Sequence, residues 1–285
     1  MKRLSFLICL ALLVSLLPGC GNAPEAQIAA TTLPVYEFTV RLCEGTGLTV
    51  TRLVTEEVSC LHDYSLKTAQ MRAIEGAQLI VISGGGLEDF MADIVPTDKT
   101  VDASAGIELE CGHDHDGHSH DHDPHIWLSP LLAKEMVSNI ATGLCAQFPQ
   151  HEATFRINEE ILHKELDALY RYGKEQLAGL SCKKLITFHD GFHYFAESFD
   201  LEILRAVEEE SGSEASAREL IELIELVQEK DLPAIFTERS GSTSAAKIIS
   251  AETGAKIYTL DMAMAGDSYF TAMHKNIHVL KEALG

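Results

Sequence analysis

Short continuous apolar runs alternate along this chain with longer stretches in which apolar residues recur every three or four positions, and that alternation predicts strands and helices in turn. Gln27 to Thr32 and Leu48 to Val54 read as strands, with a helical stretch around Val35 to Glu44 between them. Ser65 is placed to cap a helix running to Glu75, and Gln78 to Ile82 is a continuous apolar run typical of a buried parallel strand. Gly84-Gly85-Gly86 then makes a tight turn that opens the next helix, and Pro130 starts another that reaches about Gln147. From Pro149 to about Leu177 no glycine intervenes before Gly173, while Phe155, Leu162, Leu166 and Leu169 recur at helical spacing, which predicts one unusually long helix. Beyond it come strands at Lys184–Thr187, Leu201–Ala206, Ala234–Thr237 and Lys256–Thr259, each followed by a helix: Phe192–Phe199, Ala215–Glu229, Ser244–Thr253 and Tyr269–Leu284.

Strand then helix, repeated on both sides of a long helix, makes the chain α/β. The expected architecture is two βα-type lobes, each a mostly parallel sheet flanked by helices, joined by one long backbone helix. Residues 27–148 form the first lobe, 149–178 the linking helix and 179–285 the second lobe. The glycine run has neither the lysine of a phosphate loop nor dinucleotide-binding spacing, so it is read as a turn and assigned no ligand.

Composition narrows the partners. The chain has 285 residues and 46% hydrophobic positions, enough to bury a substantial core, and sets 43 acidic against 22 basic residues for a formal charge of −21. That charge repels nucleic acid and anionic membrane surfaces along most of the molecule and argues against polyanion partners. At the N-terminus Lys2 and Arg3 precede an apolar stretch from Leu4 to Leu17 that is too short to span a bilayer, the pattern of an export signal over residues 1–19. It ends in Leu17-Pro18-Gly19-Cys20, similar to a bacterial lipobox, so Cys20 is the expected lipidation site and residues 20–26 a tether; an ordinary signal with an incidental cysteine is the alternative. The chain is therefore expected outside the cytoplasm, anchored to the bacterial membrane by lipid. Cys43, Cys60, Cys111, Cys145 and Cys182 show no metal-ribbon spacing, and their pairing is not legible.

The histidines are unevenly placed. Six of the 13, His113, His115, His118, His120, His122 and His125, fall between residues 113 and 125, inside or just after an Asp/His/Gly-rich loop at 111–124. Imidazoles at alternate positions on a flexible acidic segment bind zinc weakly, because each binding event must order the chain. Weak capture of metal by His113, His115, His118, His120 and His122 is one reading; a solvated insertion with no role is the other.

Function in α/β folds sits at the carboxyl ends of strands. His62 follows the second strand by a short loop, His125 lies in Asp123-Pro124-His125-Ile126-Trp127-Leu128, and His189 and Asp261 come directly after apolar strands. Two come from each lobe, so a site made of them lies in the cleft between lobes. Three imidazoles and a carboxylate are the donor set of tetrahedral zinc, and a shell closed by four protein ligands favours binding over catalysis. Asp63 and Asp190, each next to one of these histidines, are candidate acceptors that fix its tautomer.

Asp123-Pro124-His125-Ile126-Trp127-Leu128-Ser129-Pro130, Phe188-His189-Asp190-Gly191-Phe192-His193-Tyr194-Phe195, and Glu252 through Asp261 resemble the metal-specific solute-binding lipoproteins of ABC importers, the ZnuA/TroA type. The lipobox and the terminal helix with Asn276 share the likeness, which covers essentially the whole chain after the signal. It implies two α/β lobes on a rigid helix, a Zn2+ ion held between them by His62, His125, His189 and Asp261, and delivery to an ABC-transporter permease by a monomeric, non-enzymatic carrier. Histidine at position 189 implies zinc, since manganese binders of the type often carry glutamate there. His193 is read as a lobe-packing residue. A manganese carrier ranks second. A secreted zinc-dependent hydrolase ranks behind both, because no His-Glu-x-x-His or comparable base motif is present.

Overall fold

The computed structural model describes residues 26–57, 61, 64–110, 122–207, 215–239 and 241–285. Strands β1 (Ile28–Ala30), β2 (Val50–Arg52), β3 (Leu79–Ile82) and β4 (Thr100–Asp102) form one sheet in the order β2-β1-β3-β4, with every pairing parallel. Strands β5 (Lys184–Thr187), β6 (Glu202–Ala206), β7 (Ala234–Glu238) and β8 (Lys256–Leu260) form the second, also all parallel, in the order β6-β5-β7-β8. The inner strands β1 and β7 are buried along their whole length, as parallel strands covered on both faces are, and all of β1 and the first three residues of β7 are apolar.

The helices are α1 (Leu33–Leu42), α2 (Thr68–Gly76), α3 (Pro130–Gln147), α4 (Glu152–Leu177), α5 (His193–Ser198), α6 (Ala217–Glu229), α7 (Ser244–Thr253) and α8 (Tyr269–Leu284). The long helix exists as α4, 26 residues entered through a 3₁₀ turn at Pro149–His151. Its apolar stripe, Phe155, Leu162, Leu166, Leu169 and Leu177, is buried against α3, α8 and α1, so it serves as a beam shared by both halves.

Three local expectations are corrected. Gly84, Gly85 and Gly86 have φ of +84°, +64° and +88°, left-handed values that no helix start uses, and only a 3₁₀ turn at Asp89–Met91 follows. A side chain at Gly84 would also collide with Asp102, whose Oδ1 lies 1.8 Å from a built Cβ. Helix α2 begins at Thr68, not after Ser65: the Lys67 N–H donates to Gln70 Oε1 at 2.6 Å and closes the first turn there. The short edge strand β4, absent from the sequence reading, completes the first sheet.

One buried apolar cluster runs through both halves, from Ile28, Phe38 and Trp127 to Leu185, Phe236 and Tyr269. Polar bonds cross the same boundary. The Trp127 indole donates to the Met262 carbonyl at 2.8 Å, the Leu33 N–H to Met264 O at 3.2 Å and the Arg52 guanidinium to Gly266 O at 2.9 Å. Tyr269 donates its hydroxyl to the Trp127 carbonyl at 2.8 Å. Residues 262–266 are thus a strap from the second half sewn onto the first.

Candidate metal centre

Pro124 and Pro130 bracket the segment that presents His125. Between them Ile126–Leu128 form a buried 3₁₀ turn, and Ser129 caps α3 by accepting from the Leu132 N–H at 3.4 Å. Asp123 Oδ1 accepts from the His125 N–H at 2.9 Å and faces His125 Nδ1 at 2.7 Å. Burial raises the Asp123 pKa, but the charge and hydrogen bonds of His125 outweigh it, and the carboxyl lies below its ordinary value. An ionised carboxylate only accepts, so Nδ1 is the ring nitrogen that donates to Asp123, and Nε2 is the one turned toward His189.

His189 stands two residues beyond the end of β5, after Phe188, and its Nε2 lies 3.4 Å from His125 Nε2. The rings meet edge to face, with centroids 5.2 Å apart. Glu238, the buried last residue of β7, places Oε2 3.6 Å from His189 Nδ1. Gly191 lets the rings approach: a Cβ there would come within 2.8 Å of His189 Cδ2, 3.0 Å of His125 Cε1 and 2.6 Å of Met262 Cε.

The separation of the two nitrogens has a chemical meaning. Zinc binds imidazole nitrogen at about 2.0–2.1 Å in tetrahedral array, which puts two such nitrogens about 3.3–3.4 Å apart. The observed 3.4 Å is that spacing. Two imidazoles from opposite halves, each facing a carboxylate, stand at the separation that one shared ion would require.

Asp261 follows β8 and is fixed by buried Asn276 of α8. Its N–H donates to Asn276 Oδ1 at 2.8 Å, and its carbonyl accepts from Asn276 Nδ2 at 2.7 Å. Of the carboxylate, Oδ1 accepts from the Ala263 N–H at 2.9 Å, and Oδ2 lies 3.5 Å from Arg239 Nη1. Asp261, Glu57, Glu238 and Arg239 line one small cleft at this end of the sheets.

Among the described residues, then, the sequence-derived set contributes a close pair, His125 and His189, with Asp261 at the neighbouring cleft, and no group of three His, Cys, Asp or Glu side chains is arranged to hold a metal. His62 and Asp63 lie outside the described residues, as do Cys20, Cys60, Cys111, His113, His115, His118 and His120. His122 is exposed at the foot of the histidine-rich segment, where the Asp123 N–H donates to Glu110 O at 3.0 Å and joins its two ends. His193 is half-buried and pairs through Nε2 with Asp190 Oδ1 at 2.7 Å; that bond holds its pKa above the usual imidazole range against burial. Asp190 thus pairs with His193, while Asp123 faces His125 and Glu238 faces His189, two carboxylates that the sequence reading did not single out. Cys43, Cys145 and Cys182 are free thiols, and burial pushes Cys43 up to about 12.

Known proteins resemble this chain in sequence and fold. Over 309 residues the chain is 29% identical to a putative metal-binding protein of Treponema pallidum (strain Nichols), covering 99% of this chain and 97% of that one. It is 30% identical over 308 residues to the zinc-binding lipoprotein AdcA of Streptococcus pneumoniae serotype 4 (strain ATCC BAA-334 / TIGR4), covering 99% of this chain but 61% of that lipoprotein's length. The crystal structure of the Zn(II)-bound ZnuA-like domain of Streptococcus pneumoniae AdcA superimposes with a TM-score of 0.77 at 27% identity, covering 91% of this chain and 99% of that domain. The family model described as zinc-uptake complex component A, periplasmic, matches residues 28–283, and the chain accordingly belongs to the ZnuA family of solute-binding proteins, not to a family of enzymes.

Proposed function

We propose that the chain captures Zn2+ from outside the cytoplasm and passes it to the membrane permease of an ABC importer. In this reading His125 and His189 are the two imidazole ligands from opposite halves, His62 is the third, and Asp261 supplies the carboxylate. The observation that carries it is the 3.4 Å approach of His125 Nε2 and His189 Nε2, each with its Nδ1 turned toward a carboxylate. Imidazole-rich donor sets suit zinc better than manganese, which prefers oxygen ligands. The AdcA name and the Zn(II)-bound domain support the choice of metal.

Residues 27–148 and 179–285 act as the two lobes, with 149–178 as the linking helix. Cys20 carries the lipid that keeps the monomer at the membrane, and His113, His115, His118, His120 and His122 concentrate zinc weakly near the cleft. The test is competition between zinc and manganese for the full chain, comparing the wild type with His189→Ala and with residues 111–121 deleted. Zinc preference lost in His189→Ala and kept without the segment is the expected result. Manganese preference in the wild type would make the chain a manganese carrier, and zinc binding lost with the segment alone would move the principal site into it.

A further inference from the structure

Beside the proposed site stands a cation that the chain supplies itself. Arg239, the residue after β7, reaches across the boundary between the halves: its Nη2 lies 2.8 Å from Oε1 of Glu57, beyond β2 of the first half. Its Nη1 lies 3.5 Å from Oδ2 of Asp261 in the second. The guanidinium and Glu57 are each about half exposed, at 49% and 47%, whereas Asp261 is 13% exposed. Glu238 lines the same cleft, so three carboxylates surround one fixed positive charge.

The two oxygens of Asp261 are not equivalent. Oδ1 is held by the Ala263 N–H, in a backbone already fixed by Asn276 at both the Asp261 N–H and carbonyl. Oδ2 is the oxygen left for a cation, and it is the one that faces Arg239. A guanidinium remains charged at any physiological pH, so it does not leave that position by losing its proton. Metal and arginine must contend for one oxygen atom.

We infer that Arg239 is a tethered counter-cation that competes with the bound metal for Asp261 Oδ2, with Glu57 as the anchor that draws it aside. Arg239 is thereby a positioning residue that sets how readily the ion leaves. When the metal departs, the guanidinium turns onto Asp261 and the emptied cleft is not left with uncompensated carboxylates. When the metal arrives, Glu57 across the boundary receives the displaced charge. The inference rests on the zinc reading above and adds a release device to it.

The experiment measures zinc affinity by competition with a chelating dye, and zinc dissociation by rapid mixing with excess chelator, on the full chain in detergent. Arg239→Gln should tighten zinc about two- to fivefold, chiefly by slowing dissociation, the range expected for a partly exposed charge pair. Arg239→Lys should fall between it and the wild type. Glu57→Gln should act in the opposite direction, because the guanidinium released from its anchor stays on Asp261. In an Asp261→Asn background, Arg239→Gln should change nothing.

Unchanged or weaker zinc binding in a folded Arg239→Gln protein overturns the inference, and so does an equal gain in the Asp261→Asn background, which would mark a general field effect. If Arg239→Gln does not fold, the Glu57→Gln arm decides by its sign. A His189→Ala control separates the two levels. Zinc affinity indifferent to His189 defeats the zinc site itself, while affinity that needs His189 but ignores Arg239 defeats only the counter-cation.

Discussion

His125 and His189 bring their Nε2 atoms to 3.4 Å from opposite halves of the molecule, with Asp123 and Glu238 behind them. Because each imidazole would supply one of few bonds to the ion, His125→Ala and His189→Ala should each weaken zinc by about 100-fold or more, beyond the roughly 10- to 100-fold lost when only a group that orients a ligand is removed. Chelator competition measures this, and an unchanged far-ultraviolet circular dichroism spectrum shows that the fold is retained. A loss of less than about threefold in either variant would remove that residue from the centre.

Gly191 offers a test of geometry without touching a donor atom. Its added methyl in Gly191→Ala would press on both rings and on Met262, at 2.6 to 3.0 Å. The rings must part, so zinc affinity should fall about 10- to 100-fold, as when other supports of a metal site are disturbed. Wild-type affinity in this variant would mean that the bound ion does not require the close pair.

Trp127 is the only tryptophan, and its ring lies 5.3 Å from that of His125. Tryptophan emission, excited selectively over the tyrosines, is therefore a report from beside His125. Stoichiometric zinc should shift or quench the emission in the wild type and leave it unaltered in His125→Ala. An emission indifferent to zinc that calorimetry shows to be bound would place the ion elsewhere.

Glu88 couples stability to pH. It is buried under the Gly84–Gly86 turn, where Thr31 Oγ1 and the Ser83 N–H donate to Oε1 at 2.5 and 2.8 Å and the Gly84 N–H to Oε2 at 2.9 Å. Burial pushes its pKa up from 4.5 to about 7 despite those donors. A carboxyl raised in the folded state takes up a proton on folding, so its contribution is full below about 4.5 and fades as pH rises through 7. The stability advantage of wild type over Glu88→Gln in urea should be larger at pH 5 than at pH 8 by about 3 kcal/mol. An advantage independent of pH would show that Glu88 does not titrate in this range.

The βα order was legible because buried parallel strands must be apolar throughout, and Leu79–Ile82 and Ala234–Phe236 announce themselves in that way. Thr100-Val101-Asp102 does not: it is a three-residue edge strand with one apolar side chain, recognisable only by its pairing with β3. The carboxyl-end rule pointed to His125, which enters the proline-bracketed turn, to His189, which follows β5 after Phe188, and to Asp261, which directly follows β8. It could not find Glu238 or Arg239. Sheet order sets β7 beside β5, and that adjacency, not distance along the chain, brings Glu238 to His189. Asp190 was the nearer choice in sequence, but α5 starts at His193 and turns that ring onto Asp190.

The strap at 262–266 has a mechanical consequence. Its carbonyls at Met262, Met264 and Gly266 are each held by a donor from the first half, and Tyr269 binds the Trp127 carbonyl in return. Opening the halves like jaws would break all four bonds and expose Trp127, so under the proposed zinc reading exchange of the ion would fall to side chains at the rim. Loaded and empty molecules would then differ little in outline, and a partner that tells them apart would have to read a change of charge at the cleft's edge.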